Sequence, residues 1–88
     1  MFFAELLTAE HGLWVDPNGS IHVLEGCSAV ARETARGLRD AADEADRLAS
    51  GVTARSQFRQ RNALLAIARK HRRSAETIET QCDKMEGV

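Results

Sequence analysis

Tyrosine is absent from this chain, tryptophan and proline each occur once, and three phenylalanines and two cysteines are spread over its 88 residues. With Phe2, Phe3, Phe58 and Trp14 as the only aromatics, much of the apolar content is alanine, which buries little area per residue. A chain of this length is one domain near the size at which a single core is marginally sufficient. Close helix packing or a second copy is expected to supplement it, so a homodimer is expected before any motif is read. Cys27 and Cys82 are too few for a disulfide scaffold and read as small, part-buried hydrophobes in a reduced compartment. No apolar run approaches the roughly 20 residues of a membrane span. Met1-Phe2-Phe3-Ala4 has no basic lead and Glu5 follows at once, unlike an export signal. The expectation is a soluble cytoplasmic protein that does not engage a membrane.

Catalytic signatures are missing too. No nucleophile elbow, phosphate-binding loop or zinc-hydrolase helix occurs. Asp40, Asp43, Glu44 and Asp46 cluster, but as the outer face of an amphipathic helix. His71 and Cys82 share a helix face yet stand about 16 Å apart, too far for one ion. No enzyme, metal or cofactor is expected.

What is present points to a helical domain with a small β element. Hydrophobic residues make up 43% and charged residues 28%, a globular balance. Asp16-Pro17-Asn18-Gly19 is turn chemistry, with Gly19 able to take the left-handed conformation that closes a three-residue loop. The flanks Leu13-Trp14-Val15 and Ile21-His22-Val23-Leu24 are β-branched and aromatic, predicting a β-hairpin over about 13–24. Its register pairs Val15 with Ile21 and Leu13 with Val23, and Trp14 meets His22 on the other face. A short helix is expected at about 2–10, with a third strand as the alternative.

Two longer helices come next, at about 28–50 and 54–85, with Ser28 and Thr53 as capping residues. The first carries Ala31, Leu38, Ala45 and Val52, companions Thr34, Ala41 and Leu48, and Ala35, Ala42 and Ala49 beside them. Gly37 interrupts it at a helix cost of about 1 kcal/mol relative to alanine. The second carries Leu64, Ala68, His71, Ala75, Ile78, Cys82 and Met85, alternating steps of four and three. Leu64, His71, Ile78, Cys82 and Met85 are the expected core or dimer contacts. Folding back tightly at Gly51 and Val52 sets Leu38 opposite Leu65 and Ala31 opposite His71 or Arg72. Ile78, Cys82 and Met85 then lie past the start of the first helix, to be covered by the β-hairpin or a second copy. The fold class is mostly α with a small β-hairpin (α+β).

The net charge of −1 hides a segregation. Residues 55–73 hold Arg55, Arg59, Arg61, Arg69, Lys70, Arg72 and Arg73 and no acid, and residues 74–88 return to Glu76, Glu79, Asp83 and Glu86. Arg55, Arg59, Arg69, Lys70 and Arg73 fall within about 60° of the direction opposite the apolar stripe, making one basic face. Phe58 and Leu65 form a second apolar flank, and Trp14 and His22 a third candidate surface. Such a face suits an acidic protein surface or a phosphate backbone, or is solvated and partly neutralised by the first helix. The expected role is protein binding by a small adaptor, accessory or inhibitor protein, a type common in phages and mobile elements.

The run Leu65–Gln81 also resembles a DNA-binding helix-turn-helix. The resemblance puts Ala68 at the helix crossing, Ser74 at the cap of the recognition helix and Ile78 packing back. It implies base contacts from Ala75, Glu76, Thr77 and Gln81. The pattern departs where Arg72 stands for the turn glycine and Arg73 for the apolar residue after it. A small DNA-binding regulator using residues 64–82 is therefore the alternative. The two-helix shape is also similar to type VII secreted proteins, without their Trp-x-Gly turn or tyrosine export signal.

Overall fold

The Asp16 side chain organises the β-hairpin. Its carboxylate Oδ1 accepts the backbone N–H of Asn18 and of Ser20, both at 2.9 Å. Gly19 closes the loop at φ +85°. A computed structural model of the chain describes residues 9–87. In it, strands β1 (Leu13–Val15) and β2 (Ile21–Val23) pair antiparallel in the expected register, Leu13 with Val23, Trp14 with His22 and Val15 with Ile21. The expected helix at 2–10 lies outside the described residues except at its end, where Ala9–His11 forms one 3-10 turn.

Gly12 ties the hairpin to the first long helix. At φ +74°, a Cβ there would lie 2.9 Å from both the Cβ and the carbonyl oxygen of Cys27, so only glycine fits. Helix α1 (Ser28–Ser50) starts at this contact, and helix α2 (Phe58–Met85) returns antiparallel to it. Neither expected cap forms. Cys27 precedes α1 without a side-chain cap bond, and Ser28 is already the first residue of the helix. Thr53 lies short of α2, which begins after a 3-10 turn at Arg55–Gln57.

The helices meet along alanine. Ala31, Ala35, Leu38, Ala42, Ala45 and Ala49 of α1 are buried, as are Ala68, Ser74, Ala75, Ile78 and Cys82 of α2. Leu13 and Val23 join Ala31, Ala35, Leu38, Ala75, Ile78 and Cys82 in the main core, with Ile21 against it. A smaller cluster of Ala42, Ala45 and Ala68, with Leu64, continues the seam. Such short side chains let the helix backbones approach closely, and each contributes little area.

The register differs from the tight fold-back. Arg39 stands opposite Glu79, and Arg72 opposite Asp43 and Asp46. The helices are displaced by about four turns from the pairing of Leu38 with Leu65. The physical reason is charge. Arg32 donates to Asp83 and Glu86, Arg39 to both oxygens of Glu79, and Arg72 to Asp43, so the acidic end of α2 meets the arginines of α1. The tight register would have set Arg32 level with Lys70 and His71, like charge against like.

The displacement also reverses which end is bare. Ile78 and Cys82 are fully buried, and the Cys82 thiol donates to the Ser28 carbonyl at 3.5 Å. Both cysteines are free. The uncovered end is the start of α2, where every residue of 58–63 is exposed beyond the end of α1. Met85 is exposed and His71 half-buried, so of the five expected core residues Ile78 and Cys82 are fully enclosed.

Gln81 joins the hairpin to α2. Its side-chain oxygen accepts the Val23 N–H at 2.7 Å, and its amide nitrogen donates to the Ile21 carbonyl at 2.6 Å. One glutamine thus occupies the outer edge of β2 as a neighbouring strand would.

Candidate interaction surface

The helix pair has two unlike sides. One is a wall of ion pairs, in which Arg32, Arg39 and Arg72 bridge to Asp83, Glu86, Glu79, Asp43 and Asp46. The hydrogen bond from Arg39 holds the Glu79 carboxyl below its ordinary value near 4.5, and Arg32 does the same to Glu86. Asp16 is likewise lowered, first by the hydrogen bond with His22 and then by the Ser20 N–H. Burial, with the neighbouring Lys70 charge, pushes the His71 imidazole below 6.5.

These shifts share one sign. Each folded-state pKa lies below its unfolded value, so the associated stability is present above the unfolded pKa and is lost as pH falls. Urea midpoints should therefore decline in two stages, a shallow one below pH 6.5 from His71 and a steeper one below about pH 4.5 from the carboxylates. Replacing Glu79 by Gln should flatten the second stage and leave the first. An unchanged acid limb in that variant would contradict the assignment.

The opposite side of the pair is apolar. The hairpin and the 3-10 turn cover part of it, with the Thr34 hydroxyl donating to the His11 carbonyl at 3.4 Å. Beyond this cover, Val30, Leu48 and Ile67 remain about half exposed. His11, Val30, Thr34, Gly37, Leu38 and Ala41 line a groove of about 360 Å³. The alanine seam of α1 is buried, while Ala41 and Leu48 of the same stripe face out because the hairpin is too short to reach them.

The back of α2, away from α1, carries the basic face. Arg59, Arg69, Lys70 and Arg73 are all exposed there, as are Asn62, Ala63 and Ala66 between them, and Arg55 is exposed on the 3-10 turn that precedes the helix. Arg72, by contrast, is drawn off this face by Asp43 and Asp46. The α1 acids Asp43 and Asp46 cross the seam to Arg72, and Glu44 pairs with Arg47 on its own helix. Phe58 is exposed with the Arg61 guanidinium 5.9 Å from its ring centroid, a cation–π arrangement. Leu65 is half-buried, so the expected Phe58/Leu65 flank is split.

The basic face runs into the hairpin. Arg73, Thr77 and Gln81 form a shallow cleft with Ser20, Ile21 and His22. Trp14 stacks on His22 with ring centroids 4.5 Å apart, and His22 Nε2 lies 2.8 Å from Asp16 Oδ2. The turn that shapes the hairpin therefore also fixes an aromatic platform beside Arg73.

Helix α2 continues unbroken through Arg72 and Arg73, so the helix-turn-helix expected as the alternative at 64–82 is not formed. Arg72 is helical and ion-paired, and no glycine is there to turn the chain. Ala75 and Gln81, assigned to base contacts on that reading, are a core residue and the β2 clamp. Among the described residues no group of three or more His, Cys, Asp or Glu is placed to hold a metal ion, and no helix is long and apolar enough to cross a membrane. No protein-family model, curated protein or solved structure matches this chain.

Proposed function

We propose that this chain is a non-enzymatic, cytoplasmic protein-binding module, an adaptor, accessory or inhibitor that occupies an acidic surface of its partner. The observation that carries the reading is a division among its arginines. Arg32, Arg36, Arg39, Arg47 and Arg72 each bridge a carboxylate. Arg55, Arg59, Arg69 and Arg73 have no carboxylate partner among the described residues; the last three share the open back of α2, and Arg55 is exposed on the 3-10 turn before it. An uncompensated row of guanidinium groups on a rigid helix offers planar donors to carboxylates of another molecule. The Trp14–His22 platform adjoins the row and supplies an aromatic anchor. A homodimer, through the apolar side left open at Val30, Leu48 and Ile67, belongs to the same proposal.

Capture from nuclease-treated lysate of the source organism, with wild type and Arg69→Glu/Arg73→Glu side by side, tests the reading. A protein retained by wild type should be lost with the variant, its affinity falling about a hundredfold. Identical capture by both, or recovery of nucleic acid alone from untreated lysate with a steep salt dependence, would contradict it. Sedimentation of the wild type should give twice the 9.7 kDa chain mass, and a monomer would remove the homodimer from the proposal.

A further inference from the structure

Where the basic face meets the hairpin, most polar groups around the cleft are already engaged. Gln81 uses both ends of its amide on β2, and the Thr77 hydroxyl donates to the Arg73 carbonyl at 3.0 Å. His22 Nε2 is held by one oxygen of Asp16, whose other oxygen accepts two backbone N–H groups. Two donors are left over. Ser74 also lines the cleft and is only 9% exposed, yet its hydroxyl makes no hydrogen bond to any described residue. Beside it, the Arg73 guanidinium has no carboxylate partner among the described residues. Helical serines ordinarily return their hydroxyl to the preceding turn, as Thr77 does, or leave it in open water. A nearly buried hydroxyl that does neither, opening into a cleft beside an unmatched guanidinium, marks a place for an acceptor.

The lining fixes what that acceptor is. Among the described residues, no acid and no second arginine or lysine lines the cleft. A carboxylate sets two oxygens in the plane of one guanidinium fork and keeps lone pairs for a serine proton. A phosphate dianion would call for a second fixed cation. Ile21 and the ring of His22, held by its stack on Trp14, form a wall for the aliphatic stem of an acidic side chain. The volume of about 370 Å³ admits that side chain together with the backbone carrying it.

We propose that this cleft is a carboxylate-binding subsite that takes one glutamate or aspartate side chain of the partner, with Arg73 gripping both oxygens and Ser74 donating to one of them. The inference rests on reading the basic face as the partner surface, and it names the point of anchorage and the group that is gripped there. The Asp16 turn, the Gln81 clamp and the unbroken α2 hold the lining in place, so the site is formed before anything binds.

The probe is glutamate acetylated at its nitrogen and amidated at its α-carboxyl, titrated into the isotope-labelled full chain at physiological salt. Its glutamine counterpart and inorganic phosphate are the comparisons. The amide resonances of Ser20, His22 and Ser74 should shift together, and Trp14, the only tryptophan, should change its fluorescence. The glutamate probe should bind at least about tenfold more tightly than the glutamine one, as a charge-assisted pair requires. Ser74→Ala removes one hydroxyl without altering charge and should weaken that binding about tenfold. Arg73→Gln should abolish it, whereas Arg69→Gln, on the same face but outside the cleft, should change it by less than about twofold. Circular dichroism checks that each variant folds. Equal binding of the glutamate and glutamine probes, no binding of either, tighter binding of phosphate, or an affinity unchanged by Ser74→Ala would overturn the inference. Should the probe fail while capture of a protein still depends on Arg69 and Arg73, the partner surface stands and the subsite falls. Should the probe bind while capture ignores those arginines, the reading of the partner surface falls and takes the partner's role in the subsite with it.

Discussion

Ile78→Ala should lower the unfolding free energy by about 3 kcal/mol, within the range of roughly 2–5 kcal/mol for emptying a buried large aliphatic site. Ile78 is fully buried, and among the described residues only it, Leu13 and Cys82 are the largest fully buried side chains. Around it stand Ala31, Ala35 and Ala75, whose methyl groups cannot swing into the space a lost side chain leaves. Leu13 and Val23 would also lose the surface on which the hairpin rests. A domain of this size has a total stability near the lower end of about 5–15 kcal/mol, so one substitution removes a large share of it. Urea unfolding followed by circular dichroism reads the effect as a lower midpoint at constant slope. Ile78→Val should cost only about 1 kcal/mol. A loss below that in the alanine variant would mean that the core is not centred there.

Gln81→Ala should cost about 2 kcal/mol, with the damage concentrated in the hairpin. The substitution strips the Val23 N–H and the Ile21 carbonyl of their part-buried partners at once, and stranding such groups costs about 1–3 kcal/mol. It also removes the polar link between β2 and α2, and a two-stranded hairpin is marginal without support. Exchange of the Val23 amide should quicken well before that of the α2 core amides. Gln81→Glu separates the two bonds: its carboxylate still accepts from Val23 but repels the Ile21 carbonyl, so its cost should approach that of alanine. A harmless Gln81→Glu would show that the acceptor half of the clamp suffices.

Different parts of this architecture depend on different ranges of interaction, and that decides what was legible. The hairpin and its register rest on Asp16, Asn18 and Gly19 within five residues of chain, so local chemistry predicts them. The two helices arise from apolar spacing, and so does the exposure of Arg59, Arg69 and Arg73 opposite the buried stripe. The helix register does not arise from that spacing, because an alanine seam looks alike after each turn and offers no large knob to select one alignment. Its signal lay in charge, in Arg32 and Arg39 seeking the acids of 76–86 and Asp43 and Asp46 seeking Arg72. Exposed pairs of this kind add little stability each, but aligning like charges is a cost the other register would carry. Gln81 was legible only as a polar residue on a helix, since its role depends on where β2 lands. The open flank at Leu48 and Ile67 was hidden for the same reason, because periodicity marks an apolar face without saying how far its cover extends.

Helix α2 overhangs α1 at its start, so residues 58–63 are all exposed, whereas Arg69 and Arg73 are exposed because they lie on the side of α2 away from α1. Residue-resolved hydrogen exchange of the free protein tests this most directly. Slow exchange should centre on Ala75–Cys82, and the fastest helical exchange of α2 should fall in Phe58–Ala63, where no neighbour covers the backbone. Slow exchange at 58–65 with rapid exchange at 78–85 would contradict it, placing the bare end of the helix away from the arginines.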